Sequence, residues 1–270
     1  MSGKISFSFG KNWSNFIRNI DDQALYLARE DIRNWLNETL INGKSVLDIG
    51  CGSGIHSLCF NQMGAKMVAS FDYDLHSVNA SRFLWERNNR PDNWKILHGS
   101  VLDNDFLNSL GKFDIVYTWG VLHHTGNMWK AFDNVLKLIE DEGFFLVAIY
   151  VKGPNYNKHL RLKERFNKSN MIEKRIMIFT RILSLMNNRA LSGKNPFTWN
   201  HRTVRGMSIY YDMIDWLGGL PYEVASKEDV IEYCIQDKTM KLIKITEAFE
   251  SGCNIYLFQK SKKDRSSIAG

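Results

Sequence analysis

A chain of 270 residues with 44% hydrophobic content is long enough to bury a full α/β core without disulfide or metal staples. Its cysteines, Cys51, Cys59, Cys234 and Cys253, form no C-x-x-C pair and show no metal-ligand spacing, which argues against a disulfide scaffold or a metal module and predicts free thiols in a reducing compartment. The opening residues lack the apolar run of a secretion signal and no segment holds the ~18 apolar residues of a membrane span, so a cytoplasmic protein of net charge +6 is expected.

In chain order, Phe9-Gly10-Lys11-Asn12-Trp13 precedes a helix predicted over Asp22 to Leu40, with Leu25, Ala28, Ile32 and Leu36 at helical spacing. Residues 1–43 read as a flap and helix leading into a core. Ser45 to Ile49 then reads as a buried strand that runs into Gly50-Cys51-Gly52-Ser53-Gly54 and a helix predicted from Gly54 to Met63. Glycines at such a junction allow a sharp turn and bring backbone N–H groups toward a ligand; the bland alternative is a turn that binds nothing. The dinucleotide fingerprint would need glycine at position 55, where this chain has Ile55, so the pattern is G-x-G-x-G.

The next strand, Lys66 to Phe71, ends in Asp72-Tyr73-Asp74. A carboxylate at a second strand tip, about 20 residues past the glycines, is placed to accept both hydroxyls of a ribose. A helix over Ser77 to Asn88, strands beginning at Trp94 and Phe113, a helix near Met128 to Ile139 and a strand over Gly143 to Tyr150 complete residues 44–150. Such alternation predicts a parallel sheet covered on both faces, with ligands beyond the carboxyl ends of its strands.

These residues resemble the class I S-adenosylmethionine-dependent methyltransferases. Val46 to Gly54 matches the family's first motif, Asp72 its ribose-binding acid, Trp94 to Asp103 its third strand and adenine loop, Phe113 to His124 its fourth strand and active-site loop, and Gly143 to Tyr150 its fifth strand. The resemblance implies an α/β, Rossmann-like seven-stranded sheet and S-adenosyl-L-methionine as cofactor. It implies a cofactor set of Lys11, Trp13, Asp48, Gly50, Cys51, Gly52, Gly54, Asp72, Tyr73, Ser100, Val101 and Trp119. Within that set Asp48 would meet the methionine amino group or brace the turn, Ser100 and Val101 would border adenine, and Trp119 would close over the cofactor or pack in the core. An acceptor of high pKa needs a base, and histidine suits that task near neutral pH. His124 is the expected base with His123 as alternate, against a loop-stabilising role for either; no metal is expected. The Asn-Pro-Pro-Tyr and Asp-Pro-Pro-Tyr signatures of amino-methylating relatives are replaced here by Thr118-Trp119-Gly120-Val121.

From Val151 to Ala225 the sheet pattern stops, and thirteen Lys and Arg stand against five Asp and Glu, a local +8. This block reads as a basic helical insertion or lid that either attracts an anionic acceptor or forms a solvated surface. Ile172, Ile176, Phe179, Leu183 and Met186 form one helical stripe, expected to pack on the domain, with a membrane-surface helix as the rival reading. Arg205 to Glu223, together with His123-His124-Thr125-Gly126, resembles a bacterial methyltransferase subgroup associated with polysaccharide or surface-glycan biosynthesis. Arg205, Tyr210, Tyr211 and Asp215 are the acceptor-site candidates, with lid packing as their alternative. Residues 226–260 read as a capped helix over Val230 to Gln236 and a hairpin of Lys241 to Phe249 with Cys253 to Lys260; residues 261–270 read as a disordered tail. The expected function is methyl transfer to oxygen or nitrogen of a small polar, anionic acceptor such as a phosphorylated metabolite or nucleotide-linked sugar. The alternatives are a lipophilic quinone or lipid-linked acceptor and a non-catalytic binding protein; nucleic acid is disfavoured for want of an RNA-binding module.

Overall fold

The computed structural model describes residue 7 and residues 9–17, 20–198, 205–236, 238–248 and 252–262. Seven strands form one sheet: β1 (Ser45–Ile49), β2 (Met67–Asp72), β3 (Trp94–His98), β4 (Phe113–Trp119), β5 (Ile139–Tyr150), β6 (Met240–Thr246) and β7 (Cys253–Lys260). Their spatial order is β3-β2-β1-β4-β5-β7-β6, with β1 to β5 parallel and β7 antiparallel to both neighbours. The order reverses between β1, which pairs with β2, and β4, on the other side of β1. At such a switch point the two crossovers leave in opposite directions and open a crevice at the carboxyl end of the sheet.

Both sheet faces are covered, which is why the central strands are near-continuous apolar runs. Along β1, Val46 faces one core while Leu47 and Ile49 face the other, and each fully buried side chain of this size contributes about 1.5–3 kcal/mol. The first core is closed by α2 (Asp22–Arg33), α4 (Ile55–Gln62) and α5 (Leu75–Arg87) through Ala28, Ile32, Leu58 and Leu84. The second is closed by α6 (Asn104–Asn108), α7 (Met128–Lys137) and α11 (Lys227–Ile235) through Leu107, Phe132, Val135 and Val230. Ser226 and Asp229 form a reciprocal capping box at the start of α11.

Several boundaries differ from the sequence reading, as when α11 starts at Lys227 rather than Val230, and three are instructive. The helix expected over Asp22 to Leu40 stops at Arg33, and a separate turn α3 (Glu38–Ile41) begins where the Asn37 side chain accepts from the Leu40 amide. That local cap competes with continued helix, while Trp35 and Leu36 turn into the core between the two pieces. α7 ends at Lys137 because Ile139 pairs with Phe113 and already belongs to β5. β6 ends at Thr246; Phe249 to Ser251, and all but Ser261 and Lys262 of the expected tail, lie outside the described residues.

Residues 151–225 contain α8 (Tyr156–Lys168), α9 (Met171–Leu191) and α10 (Ile209–Gly218). α10 packs on α8 and on the short α1 (Phe9–Phe16), which itself lies along α5. A small cluster of Phe166, Met177 and Leu217 joins these helices. The α9 stripe does not pack as expected: Ile172, Ile176, Phe179 and Leu183 are exposed, and only Met177 of α9 is buried. The inner face of α9 instead carries Met177 and Ile178, packed in that cluster, together with Lys174, over the Phe166 ring, and Arg181, over the Trp216 ring.

Candidate active site

The glycine turn sits at the switch point, and its tightness has specific causes. Gly50 has φ of 70°, and a Cβ there would come within 2.4 Å of the Val121 side chain at the end of β4. Gly54 has φ of 78° and lies so close to Ser81 of α5 that a Cβ would stand 2.7 Å from its hydroxyl. Only glycine meets both the left-handed backbone and the close approach. Ile55, where the dinucleotide fingerprint would have a third glycine, is buried in the first core.

Four of the five amides of the turn are taken within the chain, which narrows the sequence expectation that they face a ligand. Gly50 and Cys51 donate to the Phe71 carbonyl at 2.8 and 3.1 Å, Gly54 donates to the Cys51 carbonyl at 2.8 Å, and Gly52 donates to Asp72 Oδ2 at 3.0 Å. A buried amide left unpaired is costly, and the second strand supplies the partners first. Asp72 therefore bridges the turn and the following loop, its Oδ1 accepting from the Asp74 amide at 2.8 Å. Burial pushes its carboxyl up to about 6, against the two backbone donors, and each oxygen keeps a lone pair for a hydroxyl donor.

Beside the turn lies a cavity of ≈ 60 Å³ whose lining includes Trp13, Asp48, Gly50, Cys51, Gly52, His56, Tyr117, Trp119 and Arg205. Asp48 is buried at the end of β1, accepts from the Ser57 hydroxyl at 2.5 Å and is pushed up to about 7 by burial. It thus braces α4 and faces the cavity at once. Trp13 is carried over Gly52 by α1, which is tied down where the Gly10 amide donates to Asp74 and where Asn12 donates to Asp215 and to the Tyr211 carbonyl. Arg205 lies 4.1 Å over the Trp119 ring, donates to the Tyr117 hydroxyl at 3.4 Å and stands 3.8 Å from Asp31 of α2. Its Nε, and Nε2 of His56, are buried and make no hydrogen bond. His56 stacks on Tyr117, and burial holds its imidazole neutral.

The two adjacent histidines are in different environments. His123 is fully buried against Tyr150, and its Nδ1 accepts from the Tyr150 amide at 3.2 Å, so Nε2 carries the proton and makes no hydrogen bond. Its loop-bracing role is the alternative set out from the sequence. His124 Nδ1 lies 2.6 Å from the Pro221 carbonyl, which can only accept, so Nδ1 donates and the Nε2 lone pair is left for a proton. The ring is covered by Phe9 of α1 and by the Gly219 turn. Burial pushes it down to about 3 although the Pro221 bond pulls the other way.

The remaining sequence candidates divide. Lys11 is exposed on α1, and Tyr73 is exposed and stacked on His98. Ser100 caps its own loop through the Leu102 amide, and Val101 is buried in the second core with its carbonyl held by Asn134. None of these four lines the cavity. Of the acceptor set, Arg205 belongs to the cofactor-side cavity, whereas Tyr211 and Asp215 join α10 to α1. Tyr210 stacks edge-on against Tyr211.

Sequence reasoning missed His56 and Lys163. Lys163 is fully buried, its Nζ donating to the Trp216 carbonyl and lying 4.6 to 5.5 Å from the rings of Trp216, Tyr222 and Tyr150. Burial lowers it to about 7. The available signal was its position one turn from His159 and Phe166, on the inward face of an otherwise basic helix. A larger open depression of ≈ 680 Å³ beside Trp129, Lys152, Glu232 and Tyr233 holds none of the candidate residues.

A seven-stranded sheet with this strand order, a glycine turn at its switch point and an acid at the second strand tip define the Rossmann-like methyltransferase fold. The chain belongs to the methyltransferase-domain family, whose profile matches residues 21–192. The ribosomal protein L11 methyltransferase of Shewanella sp. (strain W3-18-1) is 41% identical over 58 residues, which cover 22% of this chain and 20% of that protein. The chain thus spans about a fifth of the length of the curated relatives it first matches. Among solved structures, magnesium protoporphyrin IX methyltransferase from Synechocystis PCC 6803 with bound SAH superposes with a TM-score of 0.55 at 14% identity, covering 93% of this chain and 94% of that one. The N-methyltransferase NodS from Bradyrhizobium japonicum WM9, in complex with S-adenosyl-L-homocysteine, gives 0.51 at 13% identity, covering 94% and 98%.

The residues present fit an S-adenosylmethionine-type cofactor. Asp72 has acceptor capacity for a diol, and Arg205 and Asp48 line one cavity, a cationic and a carboxylic group for the two ends of a zwitterionic tail.

Proposed function

We propose that this protein transfers a methyl group from S-adenosylmethionine to an oxygen or nitrogen of a small polar, anionic acceptor. When bound, the cofactor supplies a methyl group on a cationic sulfur that accepts the bonding electrons as the methyl departs. The chain's own part is to hold the ribose at Asp72, the amino-acid tail between Asp48 and Arg205, and the acceptor proton at His124 Nε2. The last assignment rests on the single observation that carries the reading: the Pro221 carbonyl takes Nδ1 and so fixes the His124 tautomer with the lone pair on Nε2, beneath Phe9 of α1 and beside Gly219. Holding both partners in one water-poor crevice can supply about 7 kcal/mol or more of the barrier reduction. The cationic surface of residues 151–225 supports an anionic acceptor of the phosphorylated or nucleotide-sugar type, and a place in surface-glycan biosynthesis follows the loop resemblance.

A lipid-linked acceptor is the second reading, favoured by the exposed apolar stripe of α9. The test is incubation with methyl-labelled S-adenosylmethionine and a metabolite extract, followed by separation into anionic, neutral and lipid fractions. Label in the anionic fraction that disappears with His124→Ala supports the first reading; label in lipid moves the assignment to the second. No label despite cofactor binding would sink both and leave a binding protein.

A further inference from the structure

α9 is built inside out. Ile172, Ile176, Phe179 and Leu183, at successive i+4, i+3 and i+4 steps, are 72%, 57%, 59% and 47% exposed. On the opposite side Lys174 and Arg181 turn inward and rest on aromatic rings. Turning cations inward, where they are half-buried, while a stripe of large aliphatic and aromatic groups faces out is the reverse of what a water-facing helix does. The stripe is continuous over three turns, so it differs from the scattered apolar residues of any protein surface.

The charge around the stripe narrows what it meets. Lys158, Arg161, Arg165 and Lys168 recur at i, i+3, i+7 and i+10 on the exposed face of α8, the helix that leads directly into α9, and Arg175 is exposed beside the stripe itself. From 152 to 194 eleven Lys and Arg stand against Glu164 and Glu173. A second copy of the same face would bring like charges together, and a small free anion would leave the apolar groups in water. A surface that offers anionic headgroups with acyl chains just beneath satisfies both features, because an amphipathic helix lies in such an interface with its apolar side a few ångströms deep and basic groups at headgroup level.

We infer that α8 and α9 form a docking surface for an anionic lipid bilayer, holding the protein at the membrane face without crossing it. No helix among the described residues is long and apolar enough to span a bilayer. Docking depends on α8 and α9 alone and is independent of which acceptor the enzyme methylates.

The test is co-sedimentation of the full-length protein with vesicles of pure phosphatidylcholine and of phosphatidylcholine with 30 mol% phosphatidylglycerol, about 30% being a typical anionic load, at low and high salt. The expected result is binding to the anionic vesicles, at least about tenfold weaker on neutral ones and weakened by salt. Phe179→Glu and Ile176→Glu should each lower the partition coefficient about tenfold or more, since each places a charge where an apolar group would enter the interface. Both positions are solvent-exposed, so melting temperature and cofactor affinity should stay at the parent values. A double Arg161→Gln, Arg165→Gln variant probes the charge separately and should lower binding to anionic vesicles only. Absence of binding, equal binding to both vesicle types, or unchanged binding by Phe179→Glu would overturn the proposal. A dimer in light scattering that Phe179→Glu converts to monomer would overturn it too, by naming a second copy as the occupant.

Discussion

At Asp72 a single carboxylate carries both the turn and the proposed ribose contact, and burial sets how it responds to pH. Its folded value of about 6 lies above that of a free aspartate, so the empty site holds a proton through mildly acidic conditions. Hydroxyl donors favour the ionised form, so cofactor affinity should fall about tenfold per pH unit below about 6, with a proton released on binding. Titration calorimetry in buffers of different ionisation enthalpy measures that proton. Asp72→Asn should weaken binding about ten- to a hundredfold, a charge-assisted hydrogen bond being worth about 1.5–3 kcal/mol, and should remove the dependence that Asp72 causes. The histidine pair gives a second contrast. His124→Ala should lower kcat by about 10²–10⁴ while cofactor binding persists, whereas His123→Leu should cost about 1–3 kcal/mol of stability, through the orphaned Tyr150 amide, with kcat within a few fold. Because burial holds His124 neutral down to about 3, its imidazole signals should not titrate between about pH 5 and 8 in NMR, unlike a free histidine.

At the scale of elements, α1 is a cover over the site. The cavity beneath Trp13 encloses ≈ 60 Å³, room for a few waters and far less than a nucleoside, so the expectation is that α1 lifts from the glycine turn when cofactor enters. Asn12 fastens α1 to α10 through Asp215 at 2.8 Å and the Tyr211 carbonyl at 3.0 Å. Asn12→Ala should therefore speed both association and dissociation of cofactor by about five- to a hundredfold, the equivalent of losing two hydrogen bonds of about 0.5–1.5 kcal/mol each from the closed state. Stopped-flow tryptophan fluorescence reads both rates, and rates equal to those of the parent would show that α1 is not the gate. The elements were legible in the sequence wherever a strand or helix had its own periodic pattern, as in β1, β2, β4 and α11. They were misread where a local side-chain bond ended a helix early, as at Asn37, or where a neighbouring strand claimed a residue, as Phe113 does with Ile139.

Across the whole molecule the basic helices are fastened to the sheet by one unusual contact. Lys163 carries α8 into a cage of Tyr150 from the sheet, Trp216 from α10 and Tyr222, joining three parts of the chain. Its folded value of about 7 lies below the ordinary 10.5, so between these limits the unfolded chain binds more protons than the folded one, and stability rises with pH across that window. Relative to Lys163→Met, the parent should gain about 1.4 kcal/mol per pH unit from about pH 7 to 9 in denaturant unfolding. A constant difference across that range would show that the amine does not titrate there. Charge is likewise divided by region: residues 151–225 carry +8 while the whole chain carries +6, which leaves −2 for the remainder. Long-range attraction of an anionic acceptor or surface is thus directed at one side of the protein.

The sequence by itself determined the strand succession, the glycine turn with Asp72 at the next strand tip, and the closing pair of strands. Those features are written in local spacing: a strand covered on both faces must be apolar throughout, and a turn this tight must be glycine. Only the tertiary structure decided the rest. The His124 tautomer is set by a carbonyl 97 residues away, and Arg205 reaches the cavity of the first strand from within the insertion. The turn amides were expected to face a ligand, yet those of Gly50, Cys51 and Gly52 are claimed by Phe71 and Asp72, which no local pattern announces. Periodicity marked the apolar stripe of α9 as one face of a helix. It carries no information on whether that face turns toward the protein or away from it, because that depends on which side the aromatic rings of α8 and α10 hold the helix by its cations.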